Sequence, residues 1–495
     1  MNKTNMLRIS ALVAGLLLAF LFREEKWGLN TFIFSTFLLI LFGKHYGISN
    51  ISGPVFIVAL GTLFSSALIV MNDSDYSKTA WVLSLVLWMG FNQSKPIKSF
   101  VNAGILGCSN FFESPFLLFS GSTEEKKVSI LKSFWKIATL LLIPLGLVAL
   151  FFSIYYAANP KFAQLYDRII KSFNEGPMLN LDPETLLHIL LGTMLFGAIF
   201  FTSHLNGFFK RREESRIEDL IRKRRKVKDY FSALNTLSLK KEYKIGVLVL
   251  ALLNLQLAVA NLLDIVYVWF SFEKRGAQEL SQFVHQGTSL LILGIVMAMI
   301  VILWFFRGNL NFLPHNRFIR QLVQAWIIQN ALLTLSVGMR NIHYINAYGL
   351  AYKRIGVFFF LVLVLYGLWT MREKVQGPKT FFYLIQKNAW FFYFVLLAFS
   401  GVNWNVAITK YNLSKGAKNG IDTYFLIHLM PDHNLYLLLE QKEKLLSGSA
   451  ADRAGILQDL ENKKERFKHY HSRYSWKSFN LPDWKNEKYL NKKSH

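Results

Sequence analysis

The stretch from residue 245 to residue 270, IGVLVLALLNLQLAVANLLDIVYVWF, decides the class of this protein. Its only charged side chain is Asp264. About twenty apolar residues, at roughly 1.5 Å per residue in an α-helix, cross the ~30 Å hydrocarbon layer of a bilayer. The stretch therefore predicts a membrane-spanning helix.

Similar apolar runs occur along the chain as far as residue 410, and together they predict an all-α integral membrane protein. The eleven predicted transmembrane helices are 7–22, 28–43, 54–71, 79–93, 134–157, 184–206, 245–270, 288–306, 320–339, 353–371 and 389–408. The predicted parts are helices one to six in 1–206, a basic loop in 207–244, helices seven to eleven in 245–410, and a small helical extracytoplasmic C-terminal domain in 411–495.

The basic residues of the chain identify its expected partners. A net charge of +25 in a soluble protein would suggest nucleic acid. Here the lysines and arginines are concentrated in loops between apolar runs, where they set orientation and meet anionic lipid headgroups. We therefore expect a lipid bilayer as partner and no nucleic acid. The single cysteine, Cys108, excludes an internal disulfide and any cysteine-based metal cluster.

The predicted orientation rests on the basic loop, which carries ten lysines and arginines between Lys210 and Lys228. Such loops stay in the cytoplasm. Counting spans from it places the N-terminus inside and the tail after Tyr411 outside. We expect residues 210–228 to meet anionic headgroups or to serve only as a topology anchor. The four-residue spacing of Glu218 and Arg222 predicts a surface helix there.

Residues 100–120 are apolar but hold polar and helix-breaking side chains, among them Asn102, Glu113 and Pro115. A span there would also invert half of the charge pattern. We therefore predict a re-entrant or interfacial segment, and a genuine span is the open alternative.

The tail 411–495 is polar and charged, with some apolar periodicity. Residues 450–470 predict a helix with Leu457, Leu460 and Phe467 on one face. Because the tail is long for a simple extension, we expect it to dock on the membrane face and to be the part that meets a protein partner.

Motifs for chemistry are missing from the sequence. It has no phosphate-binding loop, dinucleotide fingerprint, HExxH or GxSxG pattern. His469 and His471 lie two residues apart on a predicted helix and so face different ways. We therefore predict no catalytic residue, no metal site and no cofactor.

Polar side chains near the outer ends of spans seven, nine, ten and eleven are the candidate site. They are Asp264, Arg340, His343, Tyr344, Tyr348, Arg354, Asn403 and Asn405. Ionisable groups are costly in hydrocarbon, so their presence needs a reason. One hypothesis is a ligand site in which Arg340 and Arg354 clamp an anion and Asp264 is counter-ion or proton acceptor. The others are a salt-bridged hinge between helices and ordinary interfacial anchoring.

Four motifs resemble a known bacterial family. They are GMRNIHYINAYGLAYKRI at 338–355, NWNVAITKYNL at 403–413, IDTYFLIHLMPD at 421–432 and SWKSFNL at 475–481. These stretches resemble the domain-of-unknown-function 4173 group, which is related to group 4153. Ala351 stands where that group usually has threonine, and Asn405 where it has an acidic residue. The resemblance implies a bacterial inner-membrane protein and no assigned activity.

The expected function is a non-enzymatic scaffold or sensor of the bacterial inner membrane. A transporter is the first alternative, although Pro144 and Gly146 break only one half of the predicted bundle. The second alternative is a membrane enzyme acting on lipid-linked substrates, with Glu24 and Glu25 in its first outer loop.

Overall fold

A computed structural model describes residues 3–119, 161, 164–165, 182–215, 218–222, 239–270, 277–313, 316–415, 420–446 and 450–492. Within these ranges the regular elements are helices. One isolated β-bridge also pairs Asp219 with Lys379. The predicted all-α class is confirmed for this part of the chain. The predicted span 134–157 lies outside it.

The helices up to residue 270 are numbered in chain order. They are α1 Lys3–Phe22, α2 Leu29–Tyr46, α3 Gly53–Asn72, α4 Asp75–Phe91, α5 Phe100–Phe119, α6 Pro183–Phe200, α7 Asn206–Glu214 and α8 Leu239–Asp264, which continues as a π-helical segment, Ile265–Phe270.

The later helices complete the described chain. They are α9 Ala277–Phe305, α10 Arg317–Tyr348, α11 Tyr352–Gln376, α12 Phe381–Ser400, α13 Trp404–Lys415, α14 Leu435–Glu440, α15 Lys442–Leu445, α16 Ala450–His471 and α17 Leu481–Lys492.

Seven of the described helices are long and apolar enough to cross a membrane: α1, α3, α6, α8 with its π-helical continuation, α10, α11 and α12. A shorter apolar stretch, Leu290–Phe305, lies in α9. These helices indicate a membrane protein. The count is smaller than the predicted eleven partly because α4 is only 17 residues long and begins with Asp75.

Residues 100–119 form one continuous helix, α5. The re-entrant or interfacial placement of this segment stays a prediction. The polar residues that suggested an interfacial segment point into the protein. Asn110 donates to the carbonyls of Ala198 and Phe201 at 2.6 and 2.7 Å. Glu113 is fully buried, 2.8 Å from Nδ1 of His204. Asn110 and Gln93 both donate to these two carbonyls at the end of α6, which are among the groups that a helix terminus leaves without an intrahelical partner.

The predicted span 389–408 is displaced in the structure. Its helix, α12, begins at Phe381 and ends at Ser400, and a separate helix, α13, starts at Trp404. The backbone N–H of Val406 donates to Asn403 at 3.2 Å, so the asparagine side chain caps the new helix. Hydrophobicity alone did not reveal this helix start inside an apolar run.

Of the surface helix predicted in the basic loop, residues 210–214 are helical in α7, residues 218–222 are not helical, and residues 223–228 lie outside the described residues. Backbone hydrogen bonds join Leu220 to Pro378 at 2.7 Å and Thr380 to Glu218 at 2.8 Å. Lys379 also donates to Asp219 at 2.6 Å. Pairing with the connection between α11 and α12 therefore replaces helical i,i+4 contacts in this segment.

The chain divides into two compact units. Unit 1 comprises Met1–Leu63 and Leu83–Glu214, and unit 2 comprises Phe64–Val82 and Ser215–His495. In unit 1, α1 packs on α6 where Gly15 meets Ile189, and a Cβ on that glycine would lie 2.6 Å from the Ile189 carbonyl. Small residues thus allow the close helix approach that is common in membranes.

In unit 2, α10 packs against α8, α9 and α11. Its Val323 is fully buried in an apolar core with Leu250 and Ile295. A second apolar core joins the chain after residue 420, which we call the C-terminal segment, to the membrane helices. In this core Leu426, Leu438 and Leu460 pack with Ile355 of α11. The segment after residue 420 is thus part of the packed structure of unit 2.

Candidate functional site

The eight predicted residues lie in unit 2, at or near the ends of its helices. Asp264 is the last residue of α8, and Arg340 lies in the C-terminal third of α10. Their side chains form an ion pair with a distance of 2.5 Å. The two side chains are 13% and 8% exposed, so each charge depends on the other for stabilisation.

Hydrogen bonds hold the π-helical segment after Asp264 against α10. Nε2 of His343 lies 3.0 Å from the carbonyl of Val268 and donates to it, because a carbonyl oxygen only accepts. The indole of Trp269 donates to the Ser336 hydroxyl at 2.9 Å. His343 therefore contributes a structural contact beside the ion pair.

Arg354, in the first turn of α11, binds the end of α10. Its guanidinium donates to the carbonyls of Tyr348, at 3.0 Å, and Gly349. It also stacks over the ring of Tyr344, 4.3 Å from the ring centroid. A cation at the C-terminus of a helix satisfies its free carbonyls and its negative dipole end. These contacts favour the hinge hypothesis for Arg354 over the anion clamp.

Asn405 belongs to a network that sequence reasoning missed. Its Oδ1 accepts from the Tyr352 hydroxyl, and its Nδ2 lies 2.7 Å from Nδ1 of His433. Nε2 of His433 lies 3.1 Å from the carboxylate of Asp73, which Lys78 also binds at 2.7 Å. We call these five residues the Asp73–His433 network. Asn403 lies nearby in sequence but only caps α13.

The network has a defined hydrogen-bonding direction. With the amide of Asn405 donating to Nδ1, the His433 ring carries its proton on Nε2 and donates to Asp73.

Asp73 is the most constrained member of the network. It is 6% exposed, and its backbone φ of 45° lies in the left-handed region, which costs a non-glycine residue about 1–3 kcal/mol. Burial raises the pKa of its carboxyl. The hydrogen bonds and charges of His433 and Lys78 lower that pKa by more, so it lies below the ordinary value.

The turn that carries His433 is held from its other side by Lys463 of α16. This lysine is 2% exposed and donates to the carbonyls of Ile427 and Met430 at 2.9 and 2.8 Å. Burial lowers the pKa of Lys463 to about 8. Asp432, the neighbour of His433, accepts from Arg466 at 2.9 Å. These contacts fix the position of the imidazole relative to Asp73.

The signal for Asp73 was present in the predicted topology, which put its loop on the same side as Asn405. Nothing in the sequence pointed to His433, because 360 residues separate it from its carboxylate partner. In the part of the chain that the structure describes, no group of three or more His, Cys, Asp or Glu residues could hold a metal.

The apolar helices and the buried polar network define a helical protein of membrane type. A family model described as a domain of unknown function, DUF4153, matches residues 76–439, and the chain belongs to this family. The 4173 group suggested by the motifs is not confirmed. No curated protein matches the chain. No solved structure matches it either.

Proposed function

We propose that this protein is a non-enzymatic scaffold or sensor of a bacterial inner membrane, in which the C-terminal segment is coupled to the membrane helices. The observation that carries the proposal is the contact between His433 and Asp73. It joins that segment to the loop between α3 and α4, in a setting where both side chains are largely buried. A change in the charge or position of either side chain would therefore alter the contact of the other.

Two further contacts support the coupling. Asn412 of α13 bonds both backbone groups of Leu350, at 2.6 and 2.9 Å, in the turn between α10 and α11. Asn72 donates to the carbonyl of Ser400 at the end of α12, at 3.0 Å. The ends of several membrane helices thus meet at the surface on which the C-terminal segment packs.

The proposed topology has about eleven spans, a cytoplasmic N-terminus and an extracytoplasmic domain at 411–495. The pairing of Asp219 with Lys379 supports it, because the count puts both of their loops in the cytoplasm. Under this topology, residues 210–228 meet anionic lipid headgroups, and the domain at 411–495 meets a protein partner.

The alternatives of a transporter and of an enzyme on lipid-linked substrates have less support. Either activity would favour a buried charge available to a substrate or proton. Asp264 is instead paired with Arg340, and Asp73 with Lys78 and His433.

A double-mutant cycle tests the coupling. Asp73→Asn and His433→Gln are compared singly and together, with protease cleavage between α13 and α14 as the measure of release of the C-terminal segment. We expect each single change to speed cleavage and the double change to add little. The coupling should be about 1–3 kcal/mol, the range for hydrogen bonds to charged groups.

The matched control is Glu443→Gln, which removes an exposed carboxylate of α15 and should leave cleavage unchanged. Additive effects of Asp73→Asn and His433→Gln would contradict the proposal.

A second experiment tests the scaffold or sensor role itself. A photoactivatable amino acid replaces Trp476, which is 60% exposed, in the full chain in living cells. We expect a discrete crosslinked protein whose yield changes in the Asp73→Asn background. Repeated absence of any adduct, with normal expression, would argue against the role.

An alkaline phosphatase fusion after Lys418 should be active, and an inactive fusion would reverse the proposed orientation.

A further inference from the structure

A groove between α2 and α3 in unit 1 is separate from the cluster described above. It has a volume of about 450 Å³, within the range of roughly 300–1,000 Å³ for small-molecule sites. The residues that line it are Leu39, Ile40, Phe42, Gly43, Lys44, Ile51, Phe56, Ala59 and Leu60. All but Lys44 are apolar or glycine, so the groove suits a hydrocarbon chain.

The groove has a floor and open walls. Phe42 and Ala59 form buried parts of its lining, 2% and 5% exposed. Ile40, Phe56 and Leu60 are between 43% and 51% exposed, so much apolar surface faces outward. A Cβ placed on Gly43 would have no atom within 4 Å, which means that this glycine borders open space. The depression is therefore wide enough to be filled by a larger side chain.

One end of the groove carries a positive charge. Lys44 lies in the last turn of α2 and is exposed. Among the described residues it has no ion-pair partner. Phe56 and Leu60 follow the start of α3, about one and two turns further from this helix end. The groove thus runs from a cation at the helix end toward the apolar middle of the helices.

We propose that this groove binds an anionic phospholipid of the surrounding bilayer, with one acyl chain against Phe56 and Leu60 and the phosphate on Lys44. The shape calls for a ligand with an extended apolar part and an anionic head, and charge complementarity selects the anionic lipid over the neutral one. None of the residues that line the groove belongs to the Asp73–His433 network.

Photolabelling of the full chain tests the site. The protein is reconstituted in phosphatidylcholine vesicles that contain phosphatidylglycerol with a photoactivatable acyl chain, and labelled peptides are mapped by mass spectrometry. We expect labels concentrated in residues 39–60. Gly43→Leu should remove most of them by filling the groove. Gly104→Leu is the matched control, because Gly104 of α5 also borders open space.

Lys44→Gln separates the headgroup from the chain. It should lower labelling by phosphatidylglycerol about fivefold, the effect of one lysine at an anionic surface, and leave labelling by a phosphatidylcholine probe unchanged. Lys95→Gln, at another exposed lysine of unit 1, should change neither.

Three outcomes would overturn the proposal. Labels could be spread evenly over the apolar helices. Folded Gly43→Leu protein could be labelled like the wild type. Gly43→Leu could instead alter the oligomeric state, which would mean that a second copy of the chain covers the groove. The Lys44→Gln comparison decides the case if Gly43→Leu does not fold.

Discussion

Two buried carboxylates at the same end of unit 2 are stabilised in different ways. Asp264 is paired with an arginine, which stays charged at any physiological pH. Asp73 is paired with Lys78 and with the imidazole of His433, and its pKa is lowered by both. The first pair joins two membrane helices, and the second joins membrane helices to the C-terminal segment. We call Asp264–Arg340 the fixed pair and the contact between Asp73 and His433 the adjustable contact.

The largest expected effect comes from breaking the fixed pair. Arg340→Met leaves the Asp264 carboxylate buried without its partner, which typically costs 3–5 kcal/mol, or about 4 kcal/mol here. Adding Asp264→Asn should recover most of this loss, because no charge is then left buried. Thermal unfolding in detergent measures both variants. Arg317→Met, at an exposed arginine of the same helix, is the control, and an equal loss there would refute the assignment.

The adjustable contact should fail in acid. Because the pKa of Asp73 is lowered in the folded protein, its stabilisation is complete above the ordinary value of 3.8 and is lost as pH falls through the lowered pKa. Release of the C-terminal segment, followed by proteolysis with an acid-active protease, should increase in that window. Asp73→Asn should flatten this dependence, whereas Asp264→Asn in the Arg340→Met background should not.

Tyr352→Phe should have a smaller effect on the same network. It removes the hydroxyl that donates to Oδ1 of Asn405 and leaves that buried acceptor without its donor, at a cost of about 1–2 kcal/mol. Chemical denaturation of the reconstituted protein measures the difference. Tyr267→Phe, at a tyrosine that is 60% exposed, should be neutral. A neutral Tyr352→Phe would remove this hydroxyl from the network.

Sequence reasoning predicted the membrane class better than the helix ends or the contacts between helices. The topology count put Asp264 and Arg340 at one depth and offered a salt bridge between their helices as one hypothesis, and the structure pairs these two side chains. It offered Arg354 as an anion clamp, and the structure uses that guanidinium on the end of α10. It missed His433, since a polar turn in a soluble-looking tail has no periodicity that marks burial.

The sequence by itself determined that hydrocarbon rather than water surrounds most of this protein, because long apolar runs prefer hydrocarbon without any tertiary partner. Tertiary structure alone decided which charges meet. A buried charge needs a partner within a few ångströms, and chain folding brought Asp73 and His433 together across 360 residues. The apolar segments follow from local hydrophobicity, whereas the network between the helix ends depends on how those ends pack.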